Sequence, residues 1–213
     1  MKATPVSHKG KTDRGTGAPR VTGRPRDAMI DKEVIGAVIA ALQRGGYAAV
    51  TIDGIARTVG RARTSLYRRW PSKRHLVAYA VVGELGHYPA ADTGSLRGDL
   101  LSAATTLWRA FRGPLGQALP GLVADMAHDS SLAMSIRQEV MVPRRLSMRE
   151  AIERAHARGE ARDDIDVELI LDMLTGPFYF RTLFGHASMT LKDTAQIVDH
   201  VVSLIQPREK KRR

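Results

Sequence analysis

The densest chemistry in this 213-residue chain lies between Thr51 and Lys73, where Arg61, Arg63, Thr64, Ser65 and Arg68 crowd a short stretch. Arginine can fork onto guanine, and threonine or serine can meet a base edge, a thymine methyl or a phosphate oxygen. A short helix whose first turn enters a major groove would present Arg63, Thr64, Ser65 and Arg68 together. Thr51 stands where a helix N-terminus can be brought to a phosphate. Arg24 and Arg26, just before the first helical stretch, are placed to enter an adjacent minor groove or to follow the backbone. Covalent and metal chemistry has no comparable set. There is no cysteine, which removes disulfides, thiolate ligands and thiol nucleophiles. No phosphate-cradling glycine loop, nucleophile elbow or zinc-spaced pair occurs. His87, His128, His156 and His186 are not spaced as metal ligands. The expectation is a chain with no catalytic residues, metal or cofactor.

Such a set needs short helices to hold it. Ile30, Val34, Ala37, Val38 and Ala41 form one apolar helical stripe from Ala28, ended by Gly45-Gly46. Thr51 is a good N-cap for a short helix carrying Ile52, Ile55, Ala56 and Val59, which breaks at Gly60. Ala62 to Arg69 resumes the helix, with Leu66 inward and Trp70 closing it. Two short helices around a glycine-bearing turn, packed on a longer one, make a helix-turn-helix. Pro71-Ser72 then stops one helix and starts the next, which Ser72 is placed to cap. Downstream the spacing predicts helices over 73–86, 95–112, 114–128, 132–158, 167–184 and 191–205. Pro143 and Pro177 fall inside two of these and should kink them. Strand alternation is absent. The expected fold is all-α: a three-helix DNA-binding head over residues 27–75 and a helical bundle over 76–207.

Charge follows the same division. Residues 1–26 carry seven Lys/Arg against one acid, and residues 27–75 carry nine against four. From Leu76 onward the count is seventeen against seventeen, so the net +11 sits mainly in the N-terminal third. An excess of positive charge at one end is the footprint of a protein that meets a polyanion. Residues 1–26 have few large apolar side chains and are expected to form a disordered basic arm. Residues 208–213 form a second basic tail. No apolar run reaches the roughly 18 residues of a membrane span, and no signal peptide is evident, so the expected location is cytoplasmic with no membrane partner.

The stretch from Gly46-Tyr47 through Thr51, Ile55-Ala56, Gly60, Leu66-Tyr67 and Trp70-Pro71-Ser72-Lys73 resembles the DNA-binding domain of TetR-family regulators over about residues 28–76. The resemblance implies that Tyr67 and Lys73 contact the DNA backbone, and that the chain is a repressor released from a palindromic operator on duplex DNA by a small-molecule effector. It departs from the family at Arg61, where an apolar residue is usual, at Ala62 and Thr64, and at Gly54; these changes bear on target sequence more than on fold. Arg57, Arg69 and Arg74 are expected to be solvated or ion-paired.

In the C-terminal part, Val167, Ile170, Leu171, Leu174 and Phe178 form one apolar stripe, while Leu169, Met173, Phe180 and Phe184 lie on another. With Val198, Val201, Val202 and Ile205 of the last helix, the second stripe is expected to bury against a second copy in a four-helix homodimer contact. An effector pocket is expected among Trp108, Phe111, Met126, Met134, Met141 and Tyr179. The competing reading is a non-specific architectural DNA-binding dimer without ligand response.

Overall fold

The computed structural model describes residues 25–85 and 91–207, with the backbone alone for 25–28, 84 and 85. Arg24, His87, most of the expected N-terminal arm and the basic tail lie outside the described residues. Ten α-helices and no strand are present among them. No helix is long and apolar enough to cross a membrane among the described residues.

The head begins with α1 (Pro25–Gly45), which starts earlier than its apolar stripe implied. Proline suits a first helical turn, where its missing N–H has no partner to lose. Arg26 therefore sits inside the first turn of α1 rather than in a flanking arm. Val34, Val38, Ala41 and Leu42 are buried along one face. Gly46, at φ 64°, ends the helix, and its amide donates to Leu42 O at 2.7 Å. A single 3-10 turn, Tyr47–Ala49, leads to α2 (Ile52–Thr58) and α3 (Arg63–Arg69). Between them Gly60 adopts φ 62°. Its amide reaches Arg57 O at 3.2 Å and the Arg61 amide reaches Ala56 O at 2.9 Å, the paired bonds of a Schellman turn. A residue with a Cβ would be strained there, so the angle between α2 and α3 depends on that glycine.

The fourth helix, α4 (Lys73–Leu85), runs out of the head. The boundary expected at 75/76 thus falls inside one continuous helix. The bundle comprises α5 (Leu96–Arg112), α6 (Pro114–Met126), α7 (Ser130–Ile136), α8 (Val142–Ala157), α9 (Val167–Phe184) and α10 (Leu191–Ile205). The single helix expected over 132–158 is instead α7 and α8 joined by a π-helical segment, Arg137–Met141. It lies just before Pro143, whose ring and missing N–H forbid a regular ladder at that point.

The central element is α5, packed against α6, α8, α9 and α10. Asp99 on its first turns is only 1% exposed. It accepts from the Thr93 amide at 2.6 Å and hydroxyl at 2.7 Å, and from Arg154 at 3.3 Å. Burial opposes its ionisation, but those donors win and hold the carboxyl below its ordinary range. From α8, Arg145 and Arg149 pair with Glu168 of α9, and Arg145 also reaches Asp172 at 2.6 Å.

Candidate nucleic-acid interface

Thr51 makes the cap its position implied. Its backbone is extended, and its hydroxyl accepts from the Gly54 amide at 3.0 Å. Ile52, Ile55 and Ala56 bury the inner face of α2. On α3 only Leu66 is buried, so the rest of that helix is available for recognition. Arg63, Thr64 and Arg68 are exposed, Tyr67 is 44% exposed, and Ser65 is half-buried.

The arginines of the head are braced by acids. Arg63 Nε lies 2.8 Å from Asp53 on α2, and Arg61 lies 3.6 Å from Glu33 on α1. Arg69 lies 2.6 Å from Asp31, and its guanidinium stands 5.1 Å from the Trp70 ring. Arg74 reaches Asp129 at 2.7 Å, so Arg69 and Arg74 are ion-paired as expected, and Arg57 is exposed. Ser72 does not act as a plain cap: its hydroxyl meets His75 Nδ1 at 2.7 Å.

Lys73 differs from the expectation. It opens α4, but its ammonium lies 4.2 Å from the centre of the Tyr47 ring instead of extending from the reading face. Burial lowers its affinity for the proton, against the opposing pull of Asp125. Tyr47 is the centre of a junction between head and bundle that sequence reasoning missed. Its hydroxyl donates to Asp125 of α6, and its ring rests against Gly121, where an added Cβ would fall 2.1 Å from Cδ1. Burial and the Asp125 bond both raise the phenol's pKa. Next to this contact, Asp129 at the start of α7 takes Arg74. Nothing in the spacing of Tyr47 and Asp125, 78 residues apart, could have paired them.

Of the expected self-association surface, the structure leaves the α9 half exposed and buries the α10 half within the chain. Leu169, Met173, Phe180 and Phe184 are exposed along one side of α9, with Phe180 at 56% and Phe184 at 69%. Val198, Val201, Val202 and Ile205, by contrast, are buried within the chain. Their stripe lies on the side of α10 that packs along α5, so the apolar pattern marked a core face. Away from that stripe α10 carries exposed Leu204 and half-buried Ile197.

Of the expected pocket residues, Met141 and Tyr179 line a cavity of about 220 Å³ between α5, α8 and α9. The others do not. Phe111 is core, stacked edge-on to Tyr179 at 4.8 Å, and Trp108 packs at the core edge with its indole N–H on Met189 O at 2.8 Å. Met126 packs against the core, and Met134 is 59% exposed on the short α7. The cavity adjoins a second of about 170 Å³ between α5 and α8, lined by Ser102, Thr106 and Ser147 among others. Leu107, Arg144 and Met148 belong to both walls. A search weighted to large apolar side chains passes over Arg144 and the hydroxyls.

Comparison with known proteins agrees with this layout. A family model for bacterial regulatory proteins of the tetR family matches residues 35–80, and one for a tetracyclin repressor-like C-terminal domain matches residues 90–201. The uncharacterized HTH-type transcriptional regulator YdeS of Bacillus subtilis is 30% identical over 162 residues, spanning 76% of this chain and 82% of its own. The DNA-binding transcriptional repressor TetR of Mycobacteroides abscessus is 31% identical over 146 residues, 68% of this chain and 77% of its own. The crystal structure of the TetR family transcription regulator SCO0332 superposes with a TM-score of 0.63 at 31% identity, covering 84% of this chain and 99% of that one.

Proposed function

The chain belongs to the TetR family and is a DNA-binding transcriptional regulator rather than an enzyme; from that premise we propose that it is a homodimeric repressor released from a palindromic operator by a small molecule. The observation that carries the reading is the exposed row on α3, set at a fixed angle by the Gly60 turn and backed by the Thr51-capped helix. In this reading Arg63 and Arg68 read base edges, and Thr64 and Ser65 meet bases or phosphates. Thr51, Tyr67 and Arg61 hold the backbone, with Arg24 and Arg26 adding contacts upstream, while Lys73 stays on the Tyr47 ring at the junction.

The exposed apolar row of α9 supports self-association, because Leu169, Met173, Phe180 and Phe184 form a continuous stripe that a monomer leaves in water. Two-fold pairing would bring two heads to successive major grooves roughly 34–36 Å apart. The paired cavities supply a place for an effector. Its action would pass to the head through α6 and α7, whose Asp125 and the adjoining Asp129 hold Tyr47 and Arg74. An effector that favours the non-binding spacing weakens DNA by its differential affinity, typically about 1–3 kcal/mol. The repressor assignment draws on the Mycobacteroides relative, which is named a repressor.

Footprinting of genomic fragments selected by the protein tests the reading. A discrete palindromic footprint is expected, whereas even coverage of the fragment favours the architectural alternative. Arg63→Ala should relax sequence preference by roughly tenfold, the scale of one bidentate base contact. Tyr67→Ala should weaken all sequences alike. A wild type that binds matched and scrambled sites equally overturns specific readout.

A further inference from the structure

A third opening lies outside the bundle core, where the head meets α7. This cleft of about 380 Å³ is walled on one side by the end of α3 and the first turns of α4. Its other wall is Leu132 and Ser135 of α7 and Glu139 of the π-helical segment. It shares no lining residue with the two cavities between α5, α8 and α9. Its volume falls within the range of small-molecule sites, roughly 300–1,000 Å³.

The two walls differ in chemistry. The head wall is aromatic, with the Trp70 and Tyr79 ring centres 5.2 Å apart. Trp70 is buried and already carries the Arg69 guanidinium, so Tyr79, 37% exposed, is the ring offered to the cleft. Burial and a hydrogen bond to Asp31 raise the Tyr79 phenol's pKa, which keeps it neutral. The bundle wall presents a carboxylate. Glu139 accepts from the Ser135 hydroxyl at 2.6 Å and enters no salt bridge among the described residues. The π-helical segment that carries Glu139 re-aims the chain after Ile136, and such bulges recur at functional sites.

The basic groups of the cleft are engaged within the head and at its junction with α7. Arg69 lies 2.6 Å from Asp31. His75 meets the Ser72 hydroxyl through Nδ1 at 2.7 Å, and its Nε2 stands 4.0 Å from Asp129. Glu139 is thus the one charge lining the cleft that no ion pair balances among the described residues. A carboxylate attracts a cation, and the face of a neutral aromatic ring attracts the same charge through its quadrupole.

We propose that this cleft binds a small organic cation with a flat apolar body, its ammonium or guanidinium group at Glu139 and its body against Tyr79. The occupant ties the end of the reading helix to α7, at a place separate from the effector cavities of the bundle. An exposed ion pair is weak by itself and the ring adds to it, so preference for the charge should be about tenfold.

The test uses the full chain and three probes with one aromatic body: 2-naphthylmethylammonium, the neutral 2-naphthylmethanol and the anionic 2-naphthoate. Binding is followed by titration calorimetry and by the rise in thermal midpoint. The wild type is expected to bind the ammonium about tenfold more tightly than the alcohol, and the acid most weakly. Glu139→Gln, an exposed change that keeps an acceptor for Ser135, should bring the ammonium down to the level of the alcohol and leave the alcohol unchanged. Ser135→Trp, which fills the cleft from α7, should weaken both. Ser102→Trp, which crowds a cavity of the bundle instead, should change neither. Equal affinity for ammonium and alcohol overturns the assignment, as does naphthoate binding as tightly as the ammonium. An ammonium preference that survives Glu139→Gln, or one lost on Ser102→Trp, moves the site elsewhere and overturns it too. So does an ammonium that fails to bind at millimolar concentration.

Discussion

Gly121→Ala offers a sharp trial of the head–bundle junction, because two effects of opposite sign compete at one helical position. Inside an exposed helix, replacing glycine by alanine stabilises by about 1 kcal/mol through propensity alone. At Gly121 the new Cβ would lie 2.1 Å from Cδ1, 2.3 Å from Cγ and 2.8 Å from Cε1 of Tyr47. Carbon atoms rest about 3.5–4.0 Å apart, so the ring must retreat by well over 1 Å. It cannot retreat and keep its partners, since its hydroxyl is bonded to Asp125 and Lys73 sits 4.2 Å from its centre. A hydrogen bond to a charged group contributes about 1.5–3 kcal/mol, and a partly exposed cation–π contact about 0.5–1 kcal/mol. Overpacking strain adds about 1–3 kcal/mol where the ring cannot move freely. The losses exceed the propensity gain, and a net destabilisation of about 2–6 kcal/mol is expected.

Urea unfolding at fixed protein concentration measures this, with Tyr47→Phe and the double variant completing a cycle. Tyr47→Phe loses only the Asp125 bond and should cost about 1.5–3 kcal/mol. Because Gly121→Ala already breaks that bond, the double variant should lie within about 0.5 kcal/mol of Gly121→Ala alone. Strict additivity, or a Gly121→Ala protein more stable than wild type, would refute the argument that the ring is wedged between α6 and Lys73.

Two further outcomes follow from other parts of the molecule. Phe180→Arg places a charge on the exposed apolar row of α9 without touching the core, so the helical content should hold while sedimentation shifts from dimer to monomer at micromolar concentration; a dimer of unchanged mass would remove α9 from the self-association surface. Acid stability should depend on Asp129, whose carboxyl is held down to about 2 by the Ser131 hydroxyl, the Leu132 amide, Arg74 and His75. A folded pKa below the unfolded one means the stabilisation is full above about pH 5 and fades as pH falls toward 2. Asp129→Asn should therefore lower the unfolding midpoint at neutral pH and flatten its decline below pH 4, and an unchanged acid profile would contradict this.

The parts legible in the sequence were those written in local spacing. The stripe of α1, the Thr51 cap, Gly60 and the exact spans of α9 and α10 each depend on residues within a turn or two of one another. The second stripe of α9 was visible for the same reason. Long-range information was not. Val198, Val201, Val202 and Ile205 make as good an apolar stripe as any dimer face, and only the position of α5 shows that the chain covers them itself. The cavity was legible only in part, through Met141 and Tyr179; Arg144 and the hydroxyls on its wall went unnamed because such side chains read locally as surface. Pro143 signalled a disturbance, but whether it would kink, break or bulge the helix depended on packing around α7.

The acids that brace the reading head have a consequence for recognition. Arg61, Arg63 and Arg69 each meet a carboxylate from α1 or α2. Each pair is partly exposed, so the pairing adds little to stability. It does reduce the charge the head offers to phosphates in general, which is the term that drives non-specific binding and its salt dependence. Arg63, held by Asp53, is also restricted in the directions it can take, so in the proposed readout less side-chain entropy would be lost on forking onto a base. Both effects act on the difference between specific and non-specific DNA, not on affinity as such. A head carrying this many arginines without their acids would hold any duplex tightly, and a regulator must be able to let go of nearly all of them.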